Sequence, residues 1–396
     1  MTLLPDEARL FFLAIKPRDS RDDAAFARLA ASPIRWRLVT HIAEHERMVS
    51  VLWKGLNGRV SGMPADLEAA VRRRTAVTEF RMAATRVTLE RVVARLTAEG
   101  IPVLLLKGAA LAHSVYPSFS DRPMNDLDVL VPPELADRAW TCMRDHGWAL
   151  EQDDGIEFYD EFHHLKPLVD PSRGGIVLEI HRSMMPRPGP FALPESDVWR
   201  DSSEVMVGRS PARIPSDLHQ LLHLSVHFAW SHSLVHGIAR TVRDVATLTA
   251  ARSIDWDAFV RLARESRAAT CGYWTLALAR RLGDARVPAE TLAALRPRQP
   301  RALTAALERA YVVSGILDLC PSMALAQALW TAGVQPERSG HGAQRPWQMT
   351  TRFEEAFHQD LTVPVMTRVR NHLRDLAPWF RFARVVAGGS GGLAPR

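Results

Sequence analysis

The sequence predicts an α+β fold in which a small mixed sheet is flanked along the chain by helical regions. Apolar residues recur at helical spacing up to residue 98, alternate at strand spacing after Gly100, and return to helical spacing near residue 215. Helices repeat their buried face every three or four residues and strands every two, so each change of period marks a new region. We expect N-terminal helices at 1–98, a sheet core at 99–205, a helical domain at 206–335, and a linker, terminal helix and flexible tail at 336–396.

The N-terminal region is predicted to contain three main helices. An amphipathic helix begins at Leu10, a second covers 34–51, and a long third helix extends from Pro64 to Ala98. In the third helix, an apolar stripe is expected to be buried: Val77, Phe80, Ala84 and Val87. Its arginines are expected to form a solvated face: Arg72, Arg73, Arg74, Arg81, Arg86 and Arg91.

The two central regions differ in their elements. In the sheet core, strands are expected at 102–106, 126–131, 148–152 and 176–181, with helices at 109–116 and 133–146. The helical domain begins with a helix capped by Ser216 and Asp217. Beyond it we expect a polar linker at 336–346 and a last helix within 352–386.

Composition limits the classes of function. The 396 residues carry a net charge of +6, which favours anionic partners such as nucleotides without choosing among them. The three cysteines are far apart and show no CxxC spacing, so neither a zinc ribbon nor a disulfide framework is expected. Neither a signal peptide nor a membrane-spanning stretch is evident, and we expect a cytoplasmic protein without a membrane partner.

Two carboxylates in one strand indicate a metal site. Asp126 and Asp128 lie one strand period apart, so their side chains share a face. The Lys107–Gly108 turn precedes them and opens a helix, whose first N–H groups are suited to bind phosphate. Glu179 adds an acidic residue to an otherwise apolar strand, where it needs a cation nearby. Together these residues predict a divalent-metal site for a nucleoside triphosphate, provided that the strand of Glu179 lies beside that of the two aspartates.

The motifs resemble those of a bacterial family of uncharacterised nucleotidyltransferases within the polymerase-β-type superfamily. The resemblance rests on a set of motifs at residues 105–108 (LLKG), 116–117 (YP), 122–123 (RP), 126–131 (DLDVLV) and 178–181 (LEIH). It implies an Mg²⁺-dependent enzyme that moves a nucleoside monophosphate from a triphosphate, with ATP the expected nucleotide, to an acceptor and releases pyrophosphate.

The resemblance also implies roles for individual residues. Asp126 and Asp128 would bridge two Mg²⁺ ions, and Glu179 would bind the catalytic ion and accept the proton of an acceptor hydroxyl. The phosphate-binding residues would be Lys107, Gly108 and Arg122. The chain departs from the usual Gly-Ser or Gly-Gly turn, because a lysine replaces the small residue before Gly108.

The acceptor is expected to be a small molecule, a peptide or a protein, in a biosynthetic or peptide-tailoring pathway, rather than RNA. An RNA-directed enzyme and a non-catalytic nucleotide- or partner-binding protein with the same fold are the alternatives.

A histidine-rich helix offers a competing site. His219, His223 and His227 recur every four residues, a spacing that can bind zinc in a hydrolase. No glutamate lies beside them as in metalloproteases, and we interpret the segment as a packed helix that borders the cleft. Asp244 is expected to pair with a nearby arginine, and His181 to lie near the site because it shares the face of Glu179.

Overall fold

The computed structural model describes residues 4–56, 59, 62–150, 159, 162–170, 175–317, 322–334 and 376–387. The α-helices in this part of the chain are α1 Asp6–Ile15, α2 Asp23–Ala30, α3 Trp36–His45, α4 Val49–Leu56, α5 Ala65–Ala98, α6 Lys107–Ser114, α7 Ala136–Asp145, α8 Glu195–Arg200, α9 Asp217–Val226, α10 Ile238–Ala251, α11 Trp256–Glu265, α12 Ala269–Gly283, α13 Ala289–Leu295, α14 Arg301–Leu317, α15 Met323–Val334 and α16 Leu376–Val386. A turn of π-helix at His227–Ser231 continues α9.

The described strands form one seven-stranded mixed sheet, which confirms the α+β fold class. They are β1 Leu104–Leu105, β2 Asp126–Leu130, β3 Ala149–Leu150, β4 Leu168–Asp170, β5 Ile176–His181, β6 Ser203–Val207 and β7 Ser210–Ile214. Their order across the sheet is β3-β4-β5-β2-β1-β7-β6. The pairs β2–β5 and β1–β7 are parallel and the other neighbours are antiparallel.

The sheet extends further than the sequence predicted. The β6–β7 hairpin continues it beyond β1, and the boundary expected between 205 and 206 falls inside β6. Most of β6 is exposed, so its residues lack the apolar alternation by which strands are recognised. Gly208 turns the hairpin at a φ of 63°, a left-handed conformation that glycine adopts without steric cost.

Most buried apolar residues of the described chain lie in two hydrophobic cores. One lies around the sheet and includes Leu89 and Val92 of α5 with Leu127 and Leu178 of the central strands. The other joins the N-terminal helices to the C-terminal helices, from Phe11 and Ile42 to Val242 and Trp274. The N-terminal helices are therefore packed against the C-terminal helical domain.

One N-terminal helix was predicted across a break in the chain. The expected helix at 34–51 is two helices, α3 and α4, because Arg47 has a left-handed φ of 55° between them. Met48 N–H then donates to the carbonyl of Ala43 at 2.7 Å, which ends α3 in a tight turn.

The face that α5 buries differs from the predicted one. Val77 and Phe80, expected in the core, are 63% and 78% exposed. The buried residues of α5 include Met82, Leu89 and Val92, and these contact the sheet core. Periodicity identified the helix correctly. The buried face was not recognised because it includes threonines, such as Thr85, which do not count as apolar residues in the sequence pattern.

This correction leads to a matched pair of stability predictions. Phe80→Ala is expected to change the free energy of unfolding by less than about 0.5 kcal/mol, because the ring is exposed. Met82→Ala is expected to cost about 2–4 kcal/mol, because the 1%-exposed side chain leaves a cavity when it is shortened. Urea unfolding of both variants measures the difference, and equal losses would show that the assigned face is wrong.

The predicted linker at 336–346 and the flexible tail lie outside the described residues, as does most of the predicted helix at 352–386. Within that last range the structure describes α16. Among the described helices, none is long and apolar enough to cross a lipid bilayer.

Candidate active site

The register of two parallel strands brings the predicted carboxylates together. β2 and β5 pair so that Asp128 lies opposite Glu179 and Asp126 lies opposite Val177. Paired residues of neighbouring strands point to the same face, so Glu179 shares the face of both aspartates. Asp128 is buried, whereas Asp126 and Glu179 are partly exposed and form the open edge of the group.

Two nitrogen donors lie among these carboxylates. Lys107 Nζ is 2.7 Å from Asp128 Oδ1 and 3.6 Å from Glu179 Oε2. His181 Nε2 is 3.0 Å and 3.4 Å from the same two oxygens. Lys107 was expected to bind phosphate, and in this structure it instead contacts the carboxylates and offsets their charge. His181 lies beside Glu179, as expected.

The backbone around Lys107 is built to place this side chain. The chain leaves β1 at Leu106, whose N–H donates to the carbonyl of Asp128 at 3.0 Å. Lys107 then starts α6 with a φ of 46°, in the left-handed region. For a residue with a Cβ atom this conformation costs on the order of 1 kcal/mol, and such strain is concentrated at functional sites.

The charges of the group are unevenly balanced. Burial, with the charges of Asp128 and Glu179, raises the pKa of Asp126 to about 6. Burial acts in the same direction on Asp128 and Glu179, but Lys107 and the hydrogen bonds from His181 outweigh it and lower both pKa values. Three acids thus share a nearby lysine and histidine, and the negative charge of Asp126 is the least compensated.

This donor set fits a divalent cation. Ligand atoms of Asp128, Glu179 and His181 lie within 4.8 Å of one another, close enough to share one ion. Carboxylate oxygens suit Mg²⁺ and Mn²⁺, and an added imidazole suits Mn²⁺ better than Mg²⁺. The raised pKa of Asp126 is a further sign of a site that needs more positive charge than the chain supplies.

Arg122 is used by the protein itself rather than left free for phosphate. Its Nε and Nη2 donate to the Asp244 carboxylate at 2.7–3.0 Å, and its Nη1 donates to the carbonyl of Pro123 at 2.9 Å. Tyr116 Oη donates to the same carboxylate at 2.7 Å. This buried cluster confirms that Asp244 pairs with an arginine and argues against the phosphate contact expected of Arg122.

Gly108 packs closely against that cluster. A Cβ atom at this position would lie 3.0 Å from Arg122 Nη1 and 3.3 Å from Met124 Cβ, so a larger residue would push the arginine away. The role of this glycine in close packing is therefore visible, while its predicted contact with phosphate stays a prediction.

Histidines surround the site on several sides. The backbone of His164 forms an isolated antiparallel β-bridge with that of His181. The ring of His163 lies 5.4 Å from the ring of His181. His223 lies near enough to Lys107 and His181 for their charges, added to the larger effect of burial, to lower its pKa to about 3. The histidines of α9 form no group of three metal-ligand atoms within the described chain, and His219 contacts Ser216, the residue that caps this helix as predicted.

A family model described as uncharacterised nucleotidyltransferase matches residues 32–284, which is more than half of the chain. The chain belongs to this nucleotidyltransferase family. The matched range contains β2, β5, Lys107 and the whole carboxylate group. A comparison with curated proteins finds no match.

Family membership supports nucleotidyl transfer as the general activity and a nucleotide as the substrate of this nucleotidyltransferase.

Sequence signals were weaker for other residues that lie near the carboxylate group. His163 and His164 lie in a loop-rich stretch without periodicity, and Arg240 of α10 is far along the chain from the strands that carry the carboxylates. Their proximity to the site depends on tertiary packing, which no local pattern shows.

Proposed function

We propose that this nucleotidyltransferase transfers a nucleoside monophosphate from ATP to a hydroxyl or similar group of an acceptor. The acceptor oxygen forms a bond to the α-phosphorus, the bond from that phosphorus to the bridging oxygen breaks, and pyrophosphate leaves. The observation that carries the proposal is the in-register pairing of Asp128 with Glu179, which places three carboxylates on one face. Family membership gives this arrangement its chemical meaning.

Asp126, Asp128 and Glu179 are the residues that would hold two Mg²⁺ ions. When bound, such ions neutralise phosphate charge and align the attacking and leaving oxygens. The Lys107 ammonium group, within reach of the same carboxylates, is proposed to donate to a phosphate oxygen. In the metal-free chain, His181 Nε2–H donates to Asp128 Oδ1 at 3.0 Å and orients this carboxylate.

Glu179 is proposed to accept the proton of the attacking hydroxyl. Its carboxylate is partly exposed, so an acceptor can approach it, whereas that of Asp128 is buried. Although burial opposes ionisation, the charge of Lys107 keeps the pKa of Glu179 well below its ordinary value. A carboxylate that is ionised at neutral pH is in the correct form to take up a proton.

The acceptor is proposed to be a small molecule, a peptide or a protein, within a biosynthetic or peptide-tailoring pathway. The arginine-rich face of α5 bears on the RNA alternative. Three of its arginines pair with glutamates: Arg72 with Glu68, Arg74 with Glu44 and Arg86 with Glu90. Because half of the six arginines pair with glutamates, this face offers an RNA backbone fewer free basic residues than the sequence suggests.

The experiment is a transfer assay with the full chain. ATP labelled at the α-phosphate is incubated with Mg²⁺ and separate pools of hydroxyl-bearing small molecules, peptides and RNA. We expect pyrophosphate release and label on a non-RNA acceptor, both abolished by EDTA. ATP binding without pyrophosphate release in any pool would support the non-catalytic alternative, and label on RNA would support the RNA-directed one.

A further inference from the structure

Among the residues that the structure describes, Arg240 has no ion-pair partner, and it lies at the edge of the site. It lies in the first turn of α10 and is partly buried, and its charge acts on the carboxyl of Asp126. Its Nε atom is closed off from solvent and, within the described chain, neither donates a hydrogen bond nor has a carboxylate paired with it. A buried guanidinium nitrogen without a hydrogen-bond partner is costly, which favours binding of an anion from outside the chain.

Three acidic groups act on Arg240, and two of them, Asp244 and Glu46, cannot supply that anion. Asp244 lies four residues along α10, on the same side of the helix, but its oxygens are occupied by Arg122 and Tyr116. Glu46 accepts a hydrogen bond from the N–H of Ala239 at 2.8 Å. Burial raises the pKa of Glu46 to about 7, so at neutral pH its carboxyl carries only part of a charge. The third, Asp126, is one of the carboxylates proposed to hold divalent ions, so Arg240 has no acidic residue dedicated to it in the described chain.

Two neutral histidines lie around Arg240. The rings of His227 and His232 are 4.4 Å apart and make no hydrogen bond to the part of the chain that the structure describes. Burial, followed by the charge of Lys107, lowers both pKa values, that of His232 to about 3. A neutral imidazole still has one N–H group, so the two histidines add donors around Arg240 without adding negative charge.

We propose that Arg240, with ring N–H groups of His227 and His232, forms a polyphosphate-binding subsite beside Asp126. This subsite rests on the proposed function and takes the β- and γ-phosphates of the nucleotide, because the α-phosphate must meet the carboxylate group. A guanidinium group binds phosphate oxygens in pairs through its planar set of N–H groups. Arg240 thereby takes the role that the sequence had suggested for Arg122.

The test is equilibrium binding of the full chain to AMP and to an ATP analogue with a methylene group between the α- and β-phosphates, both with Mg²⁺. The wild-type protein is expected to bind the analogue more tightly than AMP. Arg240→Gln is expected to weaken binding of the analogue about 10- to 100-fold and that of AMP less than about threefold. Arg240→Lys keeps the charge but loses the paired donors, so its affinity for the analogue should lie between those of the wild type and Arg240→Gln. Arg280→Gln, at an exposed position of α12, is the matched control and should bind like the wild type.

The outcomes separate this subsite from the proposed function. If Arg240→Gln and Arg240→Lys both bind the analogue as the wild type does, the subsite is wrong while nucleotidyl transfer stands. Equal weakening for the analogue and AMP would show a structural role for Arg240 and would also overturn the subsite. If the wild-type protein binds neither AMP nor the analogue, the proposed function itself is wrong.

Discussion

Asp126→Asn is expected to lower nucleotidyl transfer at least about a hundredfold and yet to stabilise the metal-free fold at neutral pH. Activity falls because one of the three carboxylates that would hold divalent ions becomes a neutral amide. Stability rises because burial and the neighbouring acids raise the pKa of Asp126 to about 6. The ionised carboxylate therefore costs the native state free energy, and asparagine removes that cost.

The pH dependence of this effect has a definite sign. Below about pH 4 the carboxyl is protonated in both the folded and the unfolded state, so it contributes no difference. Between about pH 4 and 6 the unfolded chain loses the proton first, and the free energy of unfolding falls as the pH rises. Above about pH 6 the cost is constant, at about 1–3 kcal/mol, and this is the gain expected for Asp126→Asn at pH 8. Urea unfolding in EDTA at pH 3.5 and pH 8 measures it.

Asp128→Asn is the matched control, with the opposite effect on stability. Transfer should again be lost, but the Asp128 carboxylate is buried, 2.7 Å from Lys107 Nζ and 3.0 Å from His181 Nε2. Without the Asp128 carboxylate, Glu179 at 3.6 Å is the only ion-pair partner left to Lys107 in the described chain. Breaking such a buried pair is expected to lower the free energy of unfolding by about 3–5 kcal/mol. Full activity in either variant would show that the assigned site is wrong, and stabilisation by both would show that the charge balance is wrong.

The sequence could predict the carboxylates but not their neighbourhood. Alternation placed Asp126 and Asp128 on one face, and Glu179 was recognised as an acid in an apolar strand. The strands of these residues are adjacent, parallel and in register. This arrangement depends on long-range pairing, so the sequence analysis could only assume that the two strands are neighbours. The position of Lys107 among the carboxylates follows from a left-handed backbone at a residue that is not glycine, for which there was no signal.

Prediction was weakest where tertiary packing selects between two options. The period of α5 was read correctly, but the face that it buries was not, since Val77 and Phe80 are exposed. The β6–β7 hairpin was missed because an exposed edge strand needs no apolar alternation. For Arg122, a motif suggested a ligand contact, whereas the residue that binds it, Asp244, lies 122 positions further along the chain.

The Arg122–Asp244 pair yields the largest expected loss of stability outside the carboxylate group. Asp244→Ala is expected to lower the free energy of unfolding by about 3–5 kcal/mol, because it leaves a buried guanidinium group without its counter-ion. The hydroxyl of Tyr116 also loses its acceptor. Tyr116→Phe, which removes one hydrogen bond and leaves the ion pair intact, should cost only about 1 kcal/mol. Urea unfolding at pH 7 compares the two variants.

A double replacement distinguishes a structural pair from a phosphate ligand. Arg122→Met combined with Asp244→Leu removes both charges, and its loss of stability should be well below the sum for the two single changes, because no buried charge is left alone. If Arg122 instead bound phosphate, Arg122→Gln would weaken binding of the ATP analogue far more than that of AMP, as predicted for Arg240→Gln. We expect Arg122→Gln to affect both ligands equally and to unfold at lower urea, because it leaves the 1%-exposed carboxylate of Asp244 without its counter-ion.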